Sequence, residues 1–510
     1  MYGGPARISG SAGTGKTIVA LHRAVFLARA NPEARVLLTT FSEALANALR
    51  SKLRRLTGKR EADPWGGRSL PLGDEPRIAE RLEVHALNGI AQRLYDRNLG
   101  RPKLASRADV RGLIERAATE TGQKLSVSFL MATRHVGVVS RCRAQAVRAE
   151  SPPSHRDERC ARMARRRGAT NIENIRATSN AASRDAAFVE CRPALSTDRE
   201  GRKKRLPEKQ REALWAMFEQ VRAGLKEKGL MTTASLLSAL AQRLASGMKP
   251  PFEFVVVDEA QDVGVAQLRF LAALGGALPE ALFFTGDLGQ RIFQQPFSWK
   301  ALGVDIRGRS RTLRINYRTS HQIRGMADRL LGAEVADVDG NKEDRRGTIS
   351  VFNGPAPEVS TFDSPELESA AVGAWLRARA GEGVTPHEMA VFVRSPAEIP
   401  RARAAVASAG LPVKVLDETA ETVGGLVSIS TMHFAKGLEF RAVAVMACDD
   451  EVIPLQERIE SVGDDSDLEE VYNTERHLLY VACTRARDHL WVSGVNPASE
   501  FLDDLKAPQV

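Results

Sequence analysis

Gly10-Ser11-Ala12-Gly13-Thr14-Gly15-Lys16-Thr17 satisfies G-x-x-x-x-G-K-[ST] at every position. The flanking residues fit the same structure. Ala6-Arg7-Ile8-Ser9 reads as a short strand entering the loop, and residues 18–30, apolar and free of Gly and Pro, as the buried helix leaving it. Glycines let backbone N–H groups turn inward and surround phosphate oxygens at a helix N-terminus. In that reading Lys16 reaches the terminal phosphates of a nucleotide and the Thr17 hydroxyl holds Mg²⁺. The plainer alternative is a Gly-rich strand-to-helix turn without a ligand. It is disfavoured because the whole pattern matches in the required context.

At 510 residues the chain has room for about three domains. Its composition, 43% hydrophobic and 27% charged, is that of an ordinary globular protein. A net charge of +10 makes a polyanionic partner plausible. Five cysteines without a C-x-x-C pair argue for a reducing compartment and against a disulfide scaffold or zinc ribbon. No apolar run reaches transmembrane length and the N-terminus has no signal-peptide core, so the expectation is a cytoplasmic protein with no membrane association.

Further along, residues 35–40 read as a buried parallel strand ending at Thr40 and Phe41, with Ser42 capping a helix over 43–56. Phe41 there either stacks on a base or plugs the core. Residues 82–84 lead into a helix expected from His85 to about 97. Residues 134–200 break the pattern: fourteen Arg, eight acidic residues, no Lys and a single Leu, with no apolar periodicity. Such a stretch buries too little apolar surface to offset its chain entropy and is expected to be disordered. It is either an arginine-rich nucleic-acid arm or a GC-rich gene read out of frame, and normal patterning resuming near Lys203 favours the latter. Cys142, Cys160 and Cys191 within it lack ligand spacing.

Helices are expected over 107–122, 207–228 and 233–245. Then Phe254-Val255-Val256-Val257-Asp258-Glu259 delivers two carboxylates from the end of a buried strand, where open α/β sheets place their ligands. Asp258 is positioned to help hold Mg²⁺, and Glu259 to orient and deprotonate an attacking water. A strand at 281–285 ends in Gly286-Asp287-Leu288-Gly289-Gln290, where Gln290 can sense the γ-phosphate. Strands at 348–352, 389–393, 413–416, 426–430 and 442–446, alternating with helices at 365–379 and 396–409, predict a second parallel sheet.

Together these segments resemble the UvrD/Rep-like helicases of superfamily 1. Residues 10–17, 258–262 and 286–293 look like motifs I, II and III; 314–319, 431–440 and 479–486 are similar to motifs IV, V and VI. The resemblance implies two RecA-like P-loop domains with parallel sheets and ATP in the cleft between them. Domain 1 is expected over 1–307, with a helical insertion at about 100–246, and domain 2 over 308–510. It also implies that Arg318 and Arg485 act as arginine fingers, Tyr317 stacks on adenine and Glu439 binds ribose. DNA contacts carried over from the motifs are Thr40, Phe41, His85, Phe293 and His433. The aromatic of motif III is out of register: Gln295 lies near its place, and Trp299 or Phe297 either substitutes or is packed.

Two further departures shape the expectation. Only nine residues precede Gly10, where the family places a Gln-bearing adenine segment, so adenine selectivity is expected to be weaker. Only residues 417–425 separate two expected strands where the family's large accessory subdomain inserts. The implied function is a 3′→5′ DNA helicase and single-strand translocase, using ATP and Mg²⁺ on single-stranded and tailed duplex DNA, in repair or recombination. Repair or recombination proteins are the implied partners, the location is nucleoid-associated, and the translocating form is a monomer. The alternatives are a translocase that strips proteins with little unwinding, and an ATPase-defective fragment that binds nucleic acid.

Overall fold

A computed structural model describes residues 3–57, 76–121, 208–275, 278, 280–294, 296–332, 334–417, 422–460 and 465–506. The Arg-rich stretch, with its three cysteines, and Gln295 lie outside them.

One compact unit comprises Met1–Leu94 and Gly247–Val510, a second Tyr95–Ser246. The first contains two six-stranded sheets. Strands β1 (Ala6–Gly10), β2 (Val36–Thr40), β3 (Leu82–Ala86), β4 (Phe254–Val257), β5 (Leu282–Gly286) and β6 (Ser310–Leu313) assemble in the order β3-β2-β4-β5-β1-β6. Every pairing in it is parallel. Two-residue strands β7 (Ile315–Asn316) and β10 (Ile349–Ser350) pair with each other, and β8 (Glu334–Ala336) with β9 (Lys342–Asp344) as an antiparallel hairpin. The second sheet has the order β11-β16-β15-β12-β14-β13, formed by β11 (Glu358–Phe362), β12 (Met389–Val393), β13 (Val413–Val415), β14 (Val427–Thr431), β15 (Phe440–Val445) and β16 (Ala486–Val495). It too is wholly parallel.

Parallel sheets covered on both faces demand continuous apolar strands, and β4 and β12 are buried at every residue. The helix Lys16–Ala30 packs Ala20, Leu21, Ala24 and Leu27 into the core of the first sheet. Sequence and structure differ in four places. The first sheet reaches past residue 307 to Leu313, because β6 pairs with β1. His85 is on β3, not in a helix; the alternation of buried and half-buried residues over Leu82–Ala86 keeps the chain extended. The expected strand at 348–352 shrinks to Ile349–Ser350. β11 and β16 were not anticipated: β11 is a polar edge strand, and β16 continues directly from the Arg485 segment.

The second unit contains helices Arg107–Thr121, Glu208–Glu227 and Thr233–Ala245. The first two meet through Leu113, Ile114, Met217 and Phe218. Gly224 makes that approach possible, since a Cβ there would stand 2.6 Å from Leu113 Cδ2. Among the described residues no helix is long and apolar enough to cross a membrane.

Candidate active site and nucleic-acid interface

The phosphate-type loop between β1 and its helix is held open by backbone that L side chains avoid: φ is +82° at Gly13 and +84° at Gly15. A Cβ on Gly13 would lie 2.4 Å from Asn316 Oδ1 and 2.7 Å from Arg318 Cβ. The Asn316 amide donates to Ala12 O at 2.9 Å, and the Tyr317 N–H to Gly13 O at 3.0 Å. The loop is thus stitched to the segment carrying Tyr317 and Arg318. Lys16, nearly fully buried, donates to Gly10 O (2.8 Å) and Ser11 O (2.9 Å), with Asp287 Oδ2 at 3.8 Å. The buried Ser11 hydroxyl has no hydrogen-bond partner among the described residues. A cradle of glycines, a buried ammonium and an unused hydroxyl fit a phosphate chain.

Asp258 and Glu259 follow β4. Asp258 accepts from Thr285 Oγ1 at 2.6 Å and is hydrogen-bonded to the Thr17 side chain. Burial, with the charge of Glu259 beside it, raises its pKa. A carboxylate and a threonine hydroxyl in contact form a donor set suited to Mg²⁺. Glu259 sits at φ 55°, ψ 42°, left-handed backbone that a non-glycine residue holds only at a cost of roughly 1–3 kcal/mol. Burial would raise its carboxyl, but Lys436, Lys16, the Gln261 hydrogen bond and Arg485 outweigh burial and hold it below the usual range. Glu259 therefore stays ionised.

From β5, Asp287 accepts from the Gln290 side-chain amide at 2.7 Å and from Gly289 N at 2.9 Å. Gln290 Oε1 in turn faces Arg485 Nη2 at 3.3 Å. Arg485 is buried against Val481 O (3.0 Å), and burial beside Arg318 pushes its pKa down to about 10. Arg318 Nε pairs with Glu439 Oε2 at 2.8 Å, so two residues expected to take different parts of a nucleotide hold each other. Tyr317 is 63% exposed, its ring available for stacking.

Lys436, to which sequence reading gave no role, ties the second sheet to the carboxylates that follow β4. Its ammonium is buried on Asp262, donates to Gln290 O at 3.0 Å and stands 3.5 Å from Glu259 Oε2. The same ammonium lies 5.8 Å from the Phe41 ring centre and 6.0 Å from that of Phe293. The signal was its position within motif V, three residues after His433.

Phe41, Phe293 and His433 form one aromatic cluster, with ring centres 5.4 Å apart for the first pair and 6.4 Å for the second. Burial and the nearby Arg394 push His433 down to about 4, so its imidazole is neutral. Thr40, at the end of β2, has a buried hydroxyl without a hydrogen-bond partner among the described residues. On neighbouring β3, His85 is engaged by Glu83 Oε2 at 3.0 Å and Arg93 Nη1 at 3.3 Å. Trp299 packs edge-on against buried Phe284 at 4.9 Å, and its backbone N–H donates to Asp339 Oδ2 at 2.7 Å. That ring serves the core, while Phe41 and Phe293 face each other.

Residues 1–297 match the UvrD/REP helicase N-terminal domain, and residues 417–496 the UvrD-like helicase C-terminal domain. ATP-dependent DNA helicase UvrD1 of Mycobacterium leprae is 36% identical over 100 residues, covering 18% of this chain and 12% of that protein. ATP-dependent DNA helicase PcrA of Staphylococcus epidermidis is 42% identical over 86 residues, covering 17% and 11%. The matched segments thus span about an eighth of the length of these curated relatives. The crystal structure of the C-terminal domain of a possible DNA helicase from Lactobacillus plantarum overlaps 37% of this chain and 93% of that one, at 24% identity and a TM-score of 0.27. Since the N-terminal match alone takes in more than half of the residues, the chain belongs to the UvrD/Rep-like helicase family.

Proposed function

We propose that this protein is an ATP-driven motor that moves 3′→5′ along single-stranded DNA, with duplex separation in repair or recombination as its use. One observation carries the reading. Lys436 joins the hydrolytic carboxylate Glu259 and the aromatic cluster Phe41–Phe293–His433 through a single buried ammonium.

Each step follows from the residues present. The glycine cradle and Lys16 take the phosphates, and the Tyr317 ring takes the base. Thr17 and Asp258 would hold Mg²⁺, which would supply charge neutralisation at the phosphates. Glu259 accepts a proton from the attacking water, whose position Gln290 fixes. Arg485 and Arg318 stabilise charge that develops on the transferred group. Bases stack on Phe41 and Phe293, a grip indifferent to sequence and therefore suited to movement. The short link from β13 to β14, residues 416–426, leaves no room for a large accessory domain and favours weak unwinding by the isolated chain.

Phosphate release with and without single-stranded DNA tests this reading. Wild-type protein is expected to show DNA-stimulated hydrolysis. Glu259→Gln is expected to keep nucleotide binding while turnover falls by about 10³ or more. Hydrolysis at the wild-type rate by that variant rules out Glu259 as the base; no stimulated hydrolysis by wild type rules out the motor.

A further inference from the structure

The hairpin β8–β9 and the residue just beyond it drive two ionisable side chains, Glu343 and Arg345, beneath the loop that carries Asp287 and Gln290. Residues Glu343, Asp344, Arg345 and Arg346 alternate: 343 and 345 are buried, whereas half-buried 344 and exposed 346 pair with each other. Glu343 is ion-paired with Arg7 of β1 and accepts the Leu288 N–H at 3.2 Å. Arg345 meets more partners. Its guanidinium donates to Asp287 Oδ1 at 3.3 Å, to Asp328 Oδ1 at 3.1 Å and to the Tyr480 hydroxyl, and it lies 4.8 Å from the Tyr480 ring centre. The Tyr480 hydroxyl is hydrogen-bonded to the backbone of Ala12 in the phosphate loop. Gly289 leaves room for this arrangement, since a Cβ there would sit 2.7 Å from Arg345 Nη1.

We infer that Arg345 is a positioning residue for hydrolysis, setting Gln290 through Asp287 and linking the phosphate loop to the helix Asp465–Cys483 through Tyr480. This rests on the function proposed above. Asp287 has two cations within reach: Arg345, and Lys16 at 3.8 Å. A bound phosphate chain competes for Lys16, which leaves Arg345 as the fixed partner of Asp287. Asp287 in turn accepts from Gln290, so the guanidinium governs where that amide points. A fork is required, because one planar group serves Asp287, Asp328 and Tyr480 together.

The test uses the full chain and two variants that preserve volume or charge, Arg345→Lys and Tyr480→Phe, assayed for DNA-stimulated ATP turnover. For Arg345→Lys, kcat is expected to fall about 10- to 100-fold while KM for ATP stays within about threefold, the mark of lost alignment and not of lost binding. For Tyr480→Phe a smaller fall of the same kind is expected. Combined with Gln290→Ala, Arg345→Lys should add little further loss, because both act on one amide. A normally folded Arg345→Lys with kcat within twofold of wild type overturns the inference, as does full additivity with Gln290→Ala. A wild-type chain without stimulated hydrolysis overturns the proposed function and this role with it. Stimulated wild-type hydrolysis beside an unaffected variant overturns this role alone.

Discussion

The two parallel sheets have the same number of strands and differ in which edge they offer. In the first, each residue of the site follows a strand: the phosphate loop after β1, Thr40 and Phe41 at the end of β2, Asp258 and Glu259 after β4, Asp287 after β5. In the second, Glu439 and Arg485 stand immediately before β15 and β16, while His433 and Lys436 come after β14. The first sheet thus works as open α/β sheets usually do, with its carboxyl edge. The second lends both ends: Glu439 and Arg485 reach Arg318 and Gln290, while Lys436 from the other end reaches both Glu259 and the aromatic cluster.

Removing the contribution of the entering edge should do the most damage. Arg485→Ala deletes the guanidinium that faces Gln290, and stimulated hydrolysis is expected to drop by about 10³–10⁵. Nucleotide affinity, carried by the first sheet, should change far less. Equal losses in kcat and affinity, measured by steady-state kinetics and fluorescent-nucleotide titration, would erase the distinction between the sheets.

A smaller effect separates rings that grip from rings that pack. Phe41→Ala should weaken single-strand binding by about 1–3 kcal/mol for the base it stacks. Trp299→Ala removes a partner of buried Phe284 and should lower the melting temperature while strand affinity stays within about twofold. Fluorescence anisotropy with a labelled oligonucleotide decides, and the opposite ranking would reassign Trp299 to the strand.

The mildest test is acid. Burial drives His433 and His477 each down to about 4 from an ordinary 6.5. Below pH 6.5 the unfolded chain takes up protons that these folded imidazoles refuse. Their contribution to stability is thus full above about 6.5 and is lost as pH falls towards 4. Both residues belong to the part of the chain that builds the second sheet. A melting series from pH 7.5 to 4.5 should show the loss, and His433→Asn together with His477→Gln should flatten it. An unchanged slope would mean that other groups dominate the acid response.

The centre of the first sheet could be read from residues alone, because β4 and β5 are largely apolar runs that stop at Asp258 and Gly286. β4 and the phosphate loop are the plainest cases. The polar edge strand β11 has no such run, and its pairing with β16 is set by tertiary contact. Arg345 was invisible for a related reason. Asn341-Lys342-Glu343-Asp344-Arg345-Arg346 has the composition of a solvated charge run, and only the hairpin turns every second charge inward. His85 was misplaced because apolar and polar residues alternate too briefly there to separate strand from helix entry. The candidate residues were named from motifs; what they touch could not be. Neither the pairing of Arg318 with Glu439 nor the reach of Lys436 across to Glu259 follows from spacing.

The pinch at Gly13 has a mechanical meaning. With Asn316 Oδ1 and Arg318 Cβ both inside the space a methyl group would need, the clearance between the phosphate loop and the arginine-bearing segment is less than one carbon atom. Parts fitted so closely cannot separate without breaking the hydrogen bonds to Ala12 O and Gly13 O. A single methyl group at position 13 would therefore act as a wedge, forcing the loop away from the segment that carries Tyr317 and Arg318.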